Sequence, residues 1–134
     1  MALTGDKNAP ERDGRLASYP AAAGVVIYNG ALVVLNAGNA APGFTALNLV
    51  AVGRADQQVD NTGGIAGAKT VTVRRGVFLF NNSAGVDEIG LGDVGSDCFI
   101  VDDETVALTN GTNTRSPAGK IFDVDAQGVW VRVG

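Results

Sequence analysis

Residues 69–82 read KTVTVRRGVFLFNN. Val71 and Val73 alternate with Thr70, Thr72 and Arg74, the period-two pattern of a strand with one buried face. The alternation breaks at Arg75-Gly76 and resumes through Val77, Phe78, Leu79 and Phe80. One extra residue beside a glycine predicts a β-bulge, which bends a strand as barrels and curled sheets require. The residue types are those of strands throughout, so this stretch points to an all-β fold.

Upstream, GVVIYNGALVVLN (24–36) places two β-rich runs around Asn29-Gly30. Both turn residues tolerate positive φ, so the pair predicts a hairpin between strands near Gly24–Tyr28 and Ala31–Asn36. Pro42-Gly43 marks a loop, and a further strand spans Leu47–Ala55, with small apolar residues suited to burial on two faces. Residues 56–68 are a Gly-rich polar loop. Gly63-Gly64 and Gly67 do not make a phosphate loop, because no G-x-x-x-x-G-K-[ST] pattern and no helical run accompany them.

Downstream, residues 83–97 combine glycines and acids with room for one helical turn near Val86–Leu91, and lack the acid spacing of an EF-hand. Strands follow at Cys98–Val101 and Thr105–Thr109. Asp102, Asp103 and Glu104 between them are turn acids that accept freed backbone N–H groups, and Val101 and Val106 face the core. The last hairpin joins Lys120–Val124 to Val129–Val133 through Asp125–Gly128. Val129, Val131 and Val133 share one face. Trp130 and Arg132 share the other, where a subunit interface, a second core or a loop would suit the indole. The sum is a small Gly/Val-rich β-barrel or β-sandwich built from hairpins, one domain over residues 21–134.

Residues 1–20 are polar and charge-balanced, with Pro10 and Pro20 as breakers. They read as an extended arm without its own core, disordered or laid over a neighbouring subunit. Deleting residues 1–18 is expected to leave the fold intact. The stretch lacks the apolar centre of a signal peptide, so synthesis and use without Sec export are expected. No apolar run approaches the ~18 residues of a membrane helix.

The net charge is −4 and the ten basic residues are scattered, which argues against nucleic acid as a partner. Arg74-Arg75 is the one adjacent basic pair. It suits phosphate or an acidic partner, although Arg74 facing solvent and Arg75 meeting a carboxylate is the plainer arrangement. The chain has no histidine. Ser-His-Asp and Cys-His catalysis and His-based zinc sites are therefore excluded in their usual forms. The single cysteine, Cys98, lies in an apolar run and reads as a buried small hydrophobe. No catalytic, cofactor-binding or metal-ligating set emerges.

Three segments follow one another in order: VTVRRGVFLFNNS, DVGSDCFIVDDETVALT and RSPAGKIFDVDAQGVWVRVG. Residues 70–134 resemble small capsid decoration (cement) proteins of tailed bacteriophages. That family joins a G-x-F strand, here Gly76-Val77-Phe78, an acidic hairpin, here Asp102-Asp103-Glu104-Thr105, and a closing A-G-x-V pair, here Ala118-Gly119-Lys120-Ile121. The resemblance implies a non-enzymatic virion protein, made in the host cytoplasm. It would bind the major capsid protein on the outer surface of the expanded head and stabilise contacts between capsomers. It implies a homo-oligomer, with a trimer favoured over a dimer, and neither cofactor nor membrane. On that reading Arg12, Arg15 and Tyr19 contact the shell, Arg74 and Arg75 pair with capsid acids, and Phe80 and Trp130 pack between subunits. A tail, baseplate or fibre adaptor and a carbohydrate-binding β domain are the other classes compatible with the sequence.

Overall fold

A computed structural model describes residues 1–134. The strands are β1 (Leu16–Pro20), β2 (Val26–Ile27), β3 (Leu32–Asn36), β4 (Asn39–Pro42), β5 (Leu49–Ala55) and β6 (Val59–Asp60). They continue with β7 (Thr70–Arg74), β8 (Gly76–Phe80), β9 (Asp97–Ile100), β10 (Val106–Ala107), β11 (Pro117–Asp125) and β12 (Gly128–Val133). The only helical pieces are single 3₁₀ turns at Gly85–Asp87 and Leu91–Asp93. No helix is long and apolar enough to cross a membrane.

The fold is all-β. One antiparallel sheet has the order β1-β7-β5-β3-β4, a second has the order β10-β9-β11-β12-β8, and β2 and β6 form a short ribbon. Neither large sheet closes into a barrel. They pack across a shared core in which Leu32, Val34 and Leu49 of the first meet Ile100, Ile121, Val129, Val131 and Val133 of the second. A second core lies on the opposite face of the first sheet, where Val33, Val52, Val71 and Val73 meet Ile27 and Val59 of the ribbon. Strand β3 shows the consequence for sequence: Leu32 and Val34 point one way, Val33 the other, and all three are fully buried. A strand covered on both faces reads as a continuous apolar run.

The opening stretch is divided between the sheets. Strand β7 belongs to the first and β8 to the second, with Arg75 as the corner. The irregularity predicted as a bulge within one strand is thus a change of sheet. Strands that cross between packed sheets turn at such points, so a bulge and a corner leave the same trace in sequence.

The predicted hairpin at Asn29-Gly30 does not form. The Ala31 N–H does donate to the Tyr28 carbonyl at 3.1 Å, closing a turn. The flanking strands diverge, however: β2 pairs with β6, and β3 with β4 and β5. The true hairpin is β3–β4, turning at Ala37 (φ 50°) and Gly38 (φ 87°). Two positive φ values match the right-handed twist of the arms, but an alanine in the first position hid the signal. The acidic hairpin forms as expected, with Val106 opposite Ile100. Ile100, not Val101, faces the core from the first arm. The C-terminal hairpin also forms, with a bulge between Ile121 and Asp123.

The arm is shorter than residues 1–20. Leu16–Pro20 pairs with β7 along its whole length. Residues 1–15 precede the first strand and are exposed throughout. A deletion to residue 18 would therefore remove part of an edge strand.

Candidate interaction surface

Antiparallel pairing sets Leu16 opposite Arg74 and Arg74 opposite Arg54. Directly opposed residues share a face, so both guanidinium groups project toward the second sheet. Asp56 follows Arg54 by two positions and shares that face. Its Oδ1 accepts Arg54 Nη2 at 3.0 Å and its Oδ2 accepts Arg74 Nη2 at 3.4 Å. The Arg54 guanidinium also stands 4.5 Å from the centroid of the Phe78 ring on β8, a cation–π contact that ties the sheets together. The hydrogen bond from Arg74 holds the Asp56 carboxyl below its ordinary value, against partial burial. Two cations share one anion, so the corner keeps a positive charge. Sequence reasoning missed Arg54 and Asp56. The signal available was their spacing of two at a strand end.

The adjacent arginines reverse their expected roles. Arg74 meets the carboxylate, whereas Arg75 is exposed and donates from Nη2 to the Tyr19 hydroxyl at 3.3 Å. Tyr19 is half-buried on β1 and packs against the second core. Arg15 folds back onto Asp13, whose Oδ1 accepts the Arg15 backbone N–H at 3.0 Å and whose Oδ2 lies 3.3 Å from Nη2. These bonds lower the Asp13 carboxyl. Arg12 lies beside Leu16, Ser18 and Thr72 along the first sheet's edge. Thus Arg15, Arg74 and Arg75 lie at one end of the first sheet, Arg75 reaches Tyr19 while Arg74 turns to the opposite face, and Arg12 lies apart along the β1 edge.

Trp130 and Phe80 separate. Phe80 is 3% exposed and belongs to the inter-sheet core, so it has no surface to offer a partner. The expectation that it packs between subunits is corrected: its cross-strand partner is Val129, an inward residue. Trp130 is half-buried on the outer face, where its Nε1 donates to Asp125 Oδ2 at 2.9 Å. That bond is the main cause lowering the Asp125 carboxyl. Leu79 stands opposite Trp130 and is exposed, and Phe122 is 54% exposed at the bulge of β11. Arg132 stacks 5.5 Å from the Phe122 ring centroid, and Lys120 pairs with Asp97 at 2.9 Å. The outer face of the second sheet is therefore apolar and aromatic, with Lys120 and Arg132 interspersed among Asp97, Asp123 and Asp125. The exposed Phe122 was missed in the sequence because the bulge breaks the alternation that would have assigned it outward.

The acidic turn does structural work. Asp102 Oδ1 accepts the Glu104 N–H at 2.9 Å, an Asx turn. Burial, then the charge of Asp102, push the Asp103 carboxyl up. No three acids or thiols converge as a metal-binding group. Cys98 is fully buried, and burial pushes its thiol up to about 12. No protein-family model, curated protein or solved structure matches this chain.

Proposed function

We propose that this chain is a structural virion protein, a decoration protein that binds the outer surface of the expanded head of a tailed bacteriophage and braces neighbouring capsomers. Its partner is the major capsid protein, and it acts as a homo-oligomer, with a trimer favoured. The reading is supported by the resemblance over residues 70–134. One feature of the fold carries it: an aromatic sheet face of mixed charge, around Trp130, Phe122 and Arg132, beside an exposed arm and an arginine-rich corner. Such a surface suits a protein partner, because aromatic residues and arginine are the side chains that interfaces favour over the rest of a surface. Many weak contacts repeated around a shell give strong attachment. Binding the expanded form alone would stabilise that form by mass action.

The test is co-sedimentation of the purified protein with empty expanded heads that lack it. Saturable pelleting at a fixed copy number per capsid subunit is the expected result. A folded protein that leaves the heads bare overturns the reading. Removing residues 1–13, which spares β1, is expected to weaken head binding without unfolding the domain.

A further inference from the structure

The second sheet has an open edge at β8. Main-chain groups along a strand point alternately to its two sides. The Arg75 N–H donates to the Arg15 carbonyl at 2.8 Å, and the Asn81 N–H donates to the Glu104 carbonyl at 2.7 Å. Both acceptors lie on the side away from β12. Val77 and Leu79 share that phase, so their N–H and C=O groups face the same side, where the sheet has no further strand. The gap is short and bounded at both ends. Beside it lies Leu79, with Trp130 one strand farther in on the same face.

The arm of the same chain is turned away from this gap. The β1–β7 register, continued past Arg15, would set Asp13 against Val77 and Glu11 against Leu79. Instead the Asp13–Arg15 turn diverts the chain. Its sequence explains why: Ala9-Pro10-Glu11-Arg12-Asp13 is made largely of residues that strands disfavour. Farther along the arm, Ala2-Leu3-Thr4 is free of proline, glycine and charge and ends in a strand-favouring threonine, and Leu3 is exposed without a partner. The polar stretch between, Gly5–Gly14, reaches up to ~33 Å when extended.

We propose that residues 2–4 of a second copy of this chain add as a strand to the open edge of β8, placing Leu3 against Leu79. Main-chain bonds to Val77 and Leu79 supply the attachment, and the leucine side chains set the register. Exchange of an arm between identical subunits is an accessible route to an oligomer. Reciprocal exchange strengthens each short contact through its mate. The contact forms without any capsid, so its test is independent of head binding.

The test mixes two full-length variants, Leu3→Cys and Leu79→Cys, under mild oxidation, with Cys98 retained because it is buried. A disulfide-linked heterodimer is expected. Leu3→Cys mixed with Ile65→Cys, an exposed position away from β8, is expected to give none. Deleting residues 1–5 is expected to reduce the light-scattering mass to a single chain, about 13.6 kDa for the intact sequence. The proposal is overturned by an intact protein that is already monomeric at every concentration. Unchanged mass after the deletion, or equal cross-linking to Ile65→Cys, overturns it as well.

Discussion

The backbone N–H of Arg75 donates to the Arg15 carbonyl at 2.8 Å, at the one residue that lies between the two sheets. The bond carries the β1–β7 ladder to the corner, while the next residue, Gly76, already pairs with Val133 of the second sheet. Two sheets and the edge strand thus meet within three consecutive residues. Gly53 stands against this corner with φ 155°, and a Cβ there would come 2.6 Å from the Arg74 carbonyl oxygen. The close approach lets β5 lie beside β7 where Arg54 and Arg74 must converge.

Asp56 is the counter-charge of that convergence. Its folded carboxyl is lowered below 3.8, so its contribution to stability is present above that value and is lost as pH falls through the folded value. Asp56→Asn is expected to lower the melting temperature at neutral pH, more so at low salt, where Arg54 and Arg74 repel unscreened. Wild type and variant should converge in acid below the folded value. Calorimetry across pH checks this; a deficit that persists unchanged in acid would show that packing, not charge, explains the loss.

Phe80 and Trp130 test the division between core and surface. Phe80→Ala removes a fully packed ring from between the sheets and is expected to cost about 3–5 kcal/mol. Trp130→Ala removes a half-buried ring and its bond to Asp125, and is expected to destabilise less while altering the outer face. Urea unfolding of the two variants decides the order. A smaller loss at Phe80 would mean that the inter-sheet core tolerates the cavity.

Strand content was legible in the sequence wherever a side chain obeyed a period of two, as at Val71-Val73 and Val129-Val131-Val133. Topology was not. Arg75-Gly76 breaks the period in the same way whether a strand bulges or changes sheets, and only the positions of β12 and β1 distinguish these. Asn29-Gly30 does turn the chain, but local turn chemistry cannot say which strands then pair. The reverse failure occurred at Ala37-Gly38, where the hairpin forms without the expected asparagine. At the candidate surface, the arm arginines and Arg74-Arg75 were visible as charge. Their partners Tyr19 and Asp56 were set by cross-strand register, which lies beyond a local reading.

Asn61 lies in the Gly-rich polar segment 56–68, yet it is 2% exposed. Its Nδ2 donates to the Ala22 carbonyl at 2.8 Å and to the Ile65 carbonyl at 3.1 Å, and its own N–H donates to the Val25 carbonyl at 2.8 Å. It fastens the 61–65 turn to the segment leading into β2. Asn61→Ala leaves the buried Ala22 carbonyl without a donor, while the Ile65 carbonyl keeps the Ala68 N–H, and is expected to cost about 1–3 kcal/mol. Hydrogen exchange should quicken first around Val25–Ile27 and Val59–Asp60. Uniform quickening across both large sheets would contradict a local role.

Asp103 offers the opposite pH signature to Asp56. Burial and the neighbouring Asp102 raise its folded carboxyl above 3.8. A raised value means that stability is fully present below 3.8 and declines as pH rises through the folded value. At neutral pH the side chain is therefore a charge held in an unfavourable place, while its backbone carbonyl accepts the Leu32 N–H at 2.8 Å. Asp103→Asn keeps the backbone bond and removes the charge. It is expected to raise the melting temperature at about pH 7, where an ordinary carboxyl is ionised, and the gain should vanish well below 3.8, where both side chains are neutral. Melting curves of the two proteins at those pH values are the measurement. A destabilised variant at neutral pH would mean that the carboxylate of Asp103 makes a favourable contact in the hairpin turn.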